Sequence, residues 1–235
     1  YEKEFNKLLL AFLRGKLLKY YEAVDERPSA LPLLLTLVAK RASSSPKAAL
    51  STFTKILIKR DIILRRGGIS EQELRELDRE AKKIAESLLG AGFEDYSDYE
   101  AEGALELDEA FDEFVDKTSV LLDSEDLKYV EKLFELAKRI KDECDSRLRT
   151  LIDIVKEHLD KGDKVVVFTE FRDTASYIYE NLKDALSLRP CDIAFISSQR
   201  IEYCGRRVKS IEEIKRALLG GLKVIVSTDV ASEGL

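Results

Sequence analysis

Three short stretches carry side chains that could do chemistry, and each follows an apolar run. They are Thr169-Glu170-Phe171-Arg172, Ser197-Ser198-Gln199 and Ser227-Thr228-Asp229. Hydroxyls and backbone amides at a strand-to-helix turn bind phosphate oxygens, helped by the positive end of the helix that follows. A plainer role is also open: Asp173 or Thr174 capping that helix. The third stretch continues as Val230-Ala231-Ser232-Glu233-Gly234-Leu235. It adds a carboxylate and a glycine that lets another backbone approach closely.

Other chemistries find little support. None of the 11 glycines sits in a GxxxxGK[ST] or GxGxxG loop, so the usual triphosphate cradle is missing. Asp108-Glu109-Ala110 superficially resembles a Walker-B acidic pair. It has no apolar strand before it and lies in an acidic run, so it reads as chance. The one histidine, His158, lies in a helical pattern, which argues against a histidine metal site or a catalytic triad. Three cysteines without a CxxC exclude a disulfide framework and suggest a reducing, cytoplasmic setting.

The elements that must position the three stretches follow from hydropathy. Lys164-Val165-Val166-Val167-Phe168 is a β-branched run of strand length, expected to be covered on both faces. Thr174 to Leu186 reads as a helix, Asp192 to Ile196 as a strand, Ser210 to Leu219 as a helix, and Leu222 to Val226 as a strand. Strand–helix–strand at this spacing predicts parallel βαβ units, whose ligands bind at the carboxyl ends of the strands. Those ends are the three stretches above.

Upstream the chain reads as helical. Apolar positions recur from Phe5 to Tyr20, and Asp25 to Ser29 breaks the pattern. A Leu-rich helix from Leu31 to Arg41 reads as buried. Ser45-Pro46 starts another, which Gly67-Gly68 ends. Ser70 and Glu73 have capping-box spacing and open a helix to about Leu89. Glu94 to Asp116 reads as a flexible excursion or a loosely packed helical insertion. No strand is expected in the first 120 residues.

The chain has 235 residues and a net charge of −6. The charge is segregated: residues 1–70 carry +8, 71–127 carry −15 and 128–235 carry +1. The basic stretch Lys40 to Arg66 is an additional candidate for phosphate-backbone binding, or else an ordinary amphipathic helix. No apolar run is long enough to span a bilayer, so no membrane partner is expected.

Lys164 to Thr174 resembles motif IV, and Val224 to Leu235 resembles motif V, of superfamily 2 helicases and translocases, close to the Swi/Snf-like or RapA-like branch and to archaeal relatives. Lys40 to Pro46 is similar to the segment that links the two motor lobes in RapA-like proteins. The resemblance implies a truncated α/β, parallel-sheet RecA-like (P-loop NTPase-like) lobe over 124–235. A mainly helical linker and insertion precedes it over 1–123, with the acidic insertion at about 70–123.

By the same resemblance, Thr169, Phe171, Arg172, Ser227 and Thr228 face nucleic-acid phosphates. Asp229 holds the turn, and Glu233 and Gly234 approach the nucleotide. The partners it implies are nucleic acid, with DNA ahead of RNA, and a first RecA-like lobe of the same parent chain. ATP and Mg2+ serve the intact protein, and none is expected on this fragment. Motifs I, II and VI have no counterpart, so the fragment alone is expected not to hydrolyse ATP; an arginine finger is worth about 10³–10⁵ in rate where it is used. The rival reading is a non-enzymatic module, a helical adaptor joined to a flavodoxin-like binding domain.

Overall fold

The computed structural model describes residues 1–22, 30–66, 70, 72–73, 75–76, 79, 101–143 and 145–228, with 101–109 as backbone only. Packing divides the chain into two compact units: Tyr1–Tyr96 with Glu109–Cys144, and Ser97–Asp108 with Asp145–Leu235.

The first unit is helical. It contains α1 (Glu2–Glu22), α2 (Leu31–Ser44), α3 (Pro46–Arg65) and α5 (Ser124–Glu143), together with the later part of α4 (Ala101–Thr118). Ser45 caps α3 by accepting the Ala48 N–H at 3.1 Å, and Pro46 fills the first helical turn. This is the start that the Ser-Pro pair encodes. The Ser70–Glu73 box also forms: the Glu73 carboxylate accepts the Ser70 N–H at 2.9 Å. Helix α5 packs along α1 and α3 and completes the core with Val130, Leu133, Ala137 and Ile140. The unit therefore extends to Cys144, past the boundary expected at residue 124.

The described end of the acidic segment is better packed than its sequence suggests. Phe111, Phe114 and Val115 of α4 are buried. Three such side chains stabilise a helix position by about 5–9 kcal/mol, which is no loose excursion. The turn at 25–29, Gly67-Gly68 and most of the helix expected to Leu89 lie outside the described residues.

The second unit is α/β. Helix α6 (Ser146–Asp160) leads into β1 (Val165–Thr169), α7 (Arg172–Ala185), β2 (Ile193–Ile196), a hairpin of β3 (Ile201–Tyr203) and β4 (Arg206–Val208), α8 (Ile211–Leu219) and β5 (Val224–Thr228). The sheet order is β1-β5-β2-β3-β4. Strand β5 lies between β1 and β2 and is parallel to both, while β2-β3-β4 is an antiparallel meander. The parallel units read from the sequence form. The hairpin joins them and makes the sheet mixed.

Each sheet face has its own apolar layer. Val224 and Val226 join Ile193, Phe195 and the α6–α7 side chains on one face. Ala194, Ile196 and Ile225 join Ile214 and Leu222 on the other. Strand β1 departs from expectation. Among the described residues it has one neighbouring strand, and Val166 and Phe168 are exposed, Phe168 by 47%. A β-branched run reads the same whether one face or both are covered, because valine suits either.

The cysteines also depart from expectation. Cys191, before β2, is disulfide-bonded to Cys204 at the β3–β4 turn. The bridge joins the hairpin tip to the entry of β2. Cys204 and Gly205 adopt φ of +52° and +71°, as a two-residue turn between twisted strands requires. Among the described residues, no helix is long and apolar enough to cross a membrane.

Candidate functional site

The carboxyl ends of the parallel strands bring two of the sequence-predicted residues together. Thr169 ends β1 and Thr228 ends β5, and the two are register partners. Both are strand residues, where the sequence suggested they follow the strands. Val165 and Val167 pack against the α6–α7 core layer, as do Val224 and Val226. Side chains alternate along a strand, so Thr169 and Thr228 continue that same face.

Thr228 is 4% exposed, and its Oγ1 is buried with no hydrogen-bond partner among the described residues. Burying a hydroxyl unpaired costs about 1–3 kcal/mol, so the orphan hydroxyl calls for a ligand or a structural reason.

Ser227 takes the other face. It is fully buried, and its Oγ donates to the Thr228 carbonyl at 2.7 Å. It does not share the Thr169–Thr228 face.

Phe171 is the N-cap residue of α7, which begins at Arg172. Its ring is buried, so the backbone is what it offers at the helix start. The Phe171 side chain makes no cap hydrogen bond, and Asp173 and Thr174 lie inside the first turn of α7. Arg172 is half-buried, and its Nη1 has no hydrogen-bond partner among the described residues. A guanidinium and a helix N-terminus thus follow β1 directly, which favours an anion.

Asp229, Glu233 and Gly234 lie outside the described residues. Among the described residues, no group of three or more His, Cys, Asp or Glu is placed to hold a metal ion.

Sequence reasoning named Ser197 as a strand end but missed Arg200. Ser197 is buried, and its Oγ donates to the Arg200 carbonyl at 3.2 Å. The Arg200 guanidinium lies over the Phe195 ring, 4.8 Å from its centre. An arginine four residues after a strand has no motif to announce it.

The basic stretch Lys40 to Arg66 is largely engaged within the helical unit. Arg41 and Lys55 meet Asp112 at 2.6 and 2.5 Å, and Lys59 meets Asp116 at 2.7 Å. Burial works against the charge on Asp112, but the Arg41 guanidinium and Lys55 ammonium outweigh it and hold the carboxyl below its ordinary value. These cations serve the α4 contact, which leaves the strand ends of the second unit as the stronger phosphate candidate.

No protein-family model, curated protein or solved structure matches this chain.

Proposed function

We propose that the second unit is the second, RecA-like motor lobe of an ATP-dependent nucleic-acid helicase or translocase of superfamily 2. Its strand ends grip the phosphate backbone. Thr169 and Thr228 supply hydroxyls, Arg172 a guanidinium, and the α7 N-terminus a positive dipole. The observation that carries the reading is the buried Thr228 Oγ1, without a hydrogen-bond partner among the described residues, at the carboxyl end of the central parallel strand. Such contacts position a strand without reading its sequence.

ATP and Mg2+ belong in this reading to the lobe interface of the intact protein, with Glu233 and Gly234 approaching the nucleotide. Nucleic acid, DNA ahead of RNA, is the track, and the setting is cytoplasmic. The Cys191–Cys204 bridge would then be one of the uncommon intracellular disulfides.

The flavodoxin-like alternative places its first strand inside the sheet, in the order 2-1-3. Among the described residues β5 lies between β1 and β2, an order that departs from the flavodoxin-like one. A salt titration of mixed-sequence DNA and RNA binding by the intact protein tests the motor reading. Affinity should fall steeply and linearly on a log–log plot. Absent or salt-independent binding would overturn the proposal.

A further inference from the structure

The strand-end face continues past β5 onto β2. Phe195 shares the core layer of Val224 and Val226, so Ser197, two residues on, falls on the Thr169–Thr228 face. A turn closes there. The Ser197 N–H donates to the Arg200 carbonyl at 2.9 Å, and the Arg200 N–H donates to Ser197 Oγ at 3.3 Å. Ser197 therefore fixes where Arg200 leaves the backbone.

The Arg200 side chain is then guided by Phe195, over whose ring its guanidinium rests. It is 43% exposed and forms a loose ion pair with the Glu202 carboxylate at 3.7 Å, which a phosphate would have to displace or share. That distance is beyond hydrogen-bond reach, and Glu202 already accepts the Tyr179 hydroxyl at 3.1 Å. Arg200 is thus oriented by an aromatic ring while its donors stay accessible, which suits bidentate recognition of a phosphate.

We propose that Arg200 is a second phosphate contact of the strand-end site and that its ligand is a run of successive phosphates on one nucleic-acid strand. The proposal rests on the motor reading and adds a residue and a ligand length to it. Thr169 and Thr228 end β1 and β5, and Ser197 directly follows the adjacent β2, so their row spans about 9.6 Å, two strand spacings. Arg172 follows the β1 end and Arg200 the β2 end. Neighbouring phosphates of one strand are separated by a full sugar-phosphate unit, farther than their axial rise of about 3.4 Å, so a row of this length matches two of them. A single phosphate would leave one arginine idle.

The test is fluorescence anisotropy of a labelled, mixed-sequence single-stranded DNA across a potassium chloride series, using the intact protein. Arg200→Gln should weaken binding about three- to ten-fold and lower the slope of log affinity against log salt by about 0.7, one single-strand phosphate. Arg200→Lys should restore the slope, and changing the DNA sequence should change nothing. Loss of the Phe195 contact alone would lower Tm and leave the slope as in wild type. Wild-type binding with an unchanged Arg200→Gln slope overturns the role of Arg200 and leaves the motor reading standing. Absence of salt-dependent wild-type binding overturns both.

Discussion

Thr169 and Thr228 stand side by side on adjacent parallel strands, at the last position of each and on one face of the sheet. The pairing sets two hydroxyls next to the start of α7, and that of Thr228 has no partner among the described residues. Stability and binding should therefore respond in opposite directions there. Thr228→Val keeps the shape and removes the unpaired group. It should leave Tm unchanged or raise it by about 2–4 °C, the equivalent of roughly 1 kcal/mol, while weakening nucleic-acid binding. A drop in Tm by calorimetry would mean that the hydroxyl is bonded within the protein.

Asp112 joins α4 to both α2 and α3 through Arg41 and Lys55. Arg41 is 4% exposed and Asp112 26%, so removing the carboxylate takes one charged partner from a buried guanidinium. Asp112→Asn should destabilise the helical unit by about 2–3 kcal/mol, toward the low end for buried pairs because Asp112 keeps some water. Asp61→Asn, which breaks the exposed Arg65 pair on α3, should cost about 0.5 kcal/mol or less. Urea titration of both variants checks the contrast.

Reduction of Cys191–Cys204 opens a loop with a sequence separation of 13. Bridges closing loops of this size stabilise by roughly 3 kcal/mol, so a dithiol reductant should lower Tm by about 6–12 °C. Cys204 holds φ of +52°, which an L side chain resists by about 1–2 kcal/mol. In a Cys191→Ser background, Cys204→Gly should therefore be more stable than Cys204→Ser by about 1 kcal/mol. Equal melting of these two variants would show that the turn relaxes once the bridge is gone.

Asp192 precedes β2, and the hydrogen bond from Arg189 is the main reason its carboxyl is held down at about 2. Arg189 Nη2 donates at 2.9 Å, and Lys223 lies 3.7 Å away. An unfolded aspartate titrates near 3.9. The folded state thus binds this proton less tightly, and the stability it provides is full above about pH 4 and lost as pH falls toward 2. Asp192→Asn should be less stable than wild type at pH 7, and the gap should close between pH 4 and 2. A gap constant over that range, by urea unfolding, would assign the loss to packing instead.

Much of the frame was legible because its signals are local. Ser45-Pro46 and Ser210 announced their helices, and Ser210 Oγ accepts the Glu212 N–H at 3.0 Å. The three valines of β1 and the Val-Ile-Val of β5 read as strands, displaced by one or two residues. Strands β3 and β4 were not legible. Each has three residues, too few for a period, and their turn is Cys-Gly where Asn-Gly is the common signal. The bridge was hidden because three cysteines do not reveal which two meet. Pairing of Thr169 with Thr228, 59 positions apart, depends on β5 inserting between β1 and β2, a choice of strand order that periodicity does not encode. Arg200 became visible only once the hairpin fixed the turn beneath it.

The ion pairs of the helical unit bear on kinetics as well as stability. Lys16, Lys19, Arg41, Lys55, Lys59 and Arg65 each meet a carboxylate of their own unit. Electrostatic steering requires an uncompensated field that reaches beyond a Debye length, about 8 Å at physiological salt. Charges neutralised within a few ångströms cast no such field. A polyanion approaching this unit should therefore arrive at the unsteered rate of about 10⁵–10⁶ M⁻¹s⁻¹, with capture left to contacts made after collision.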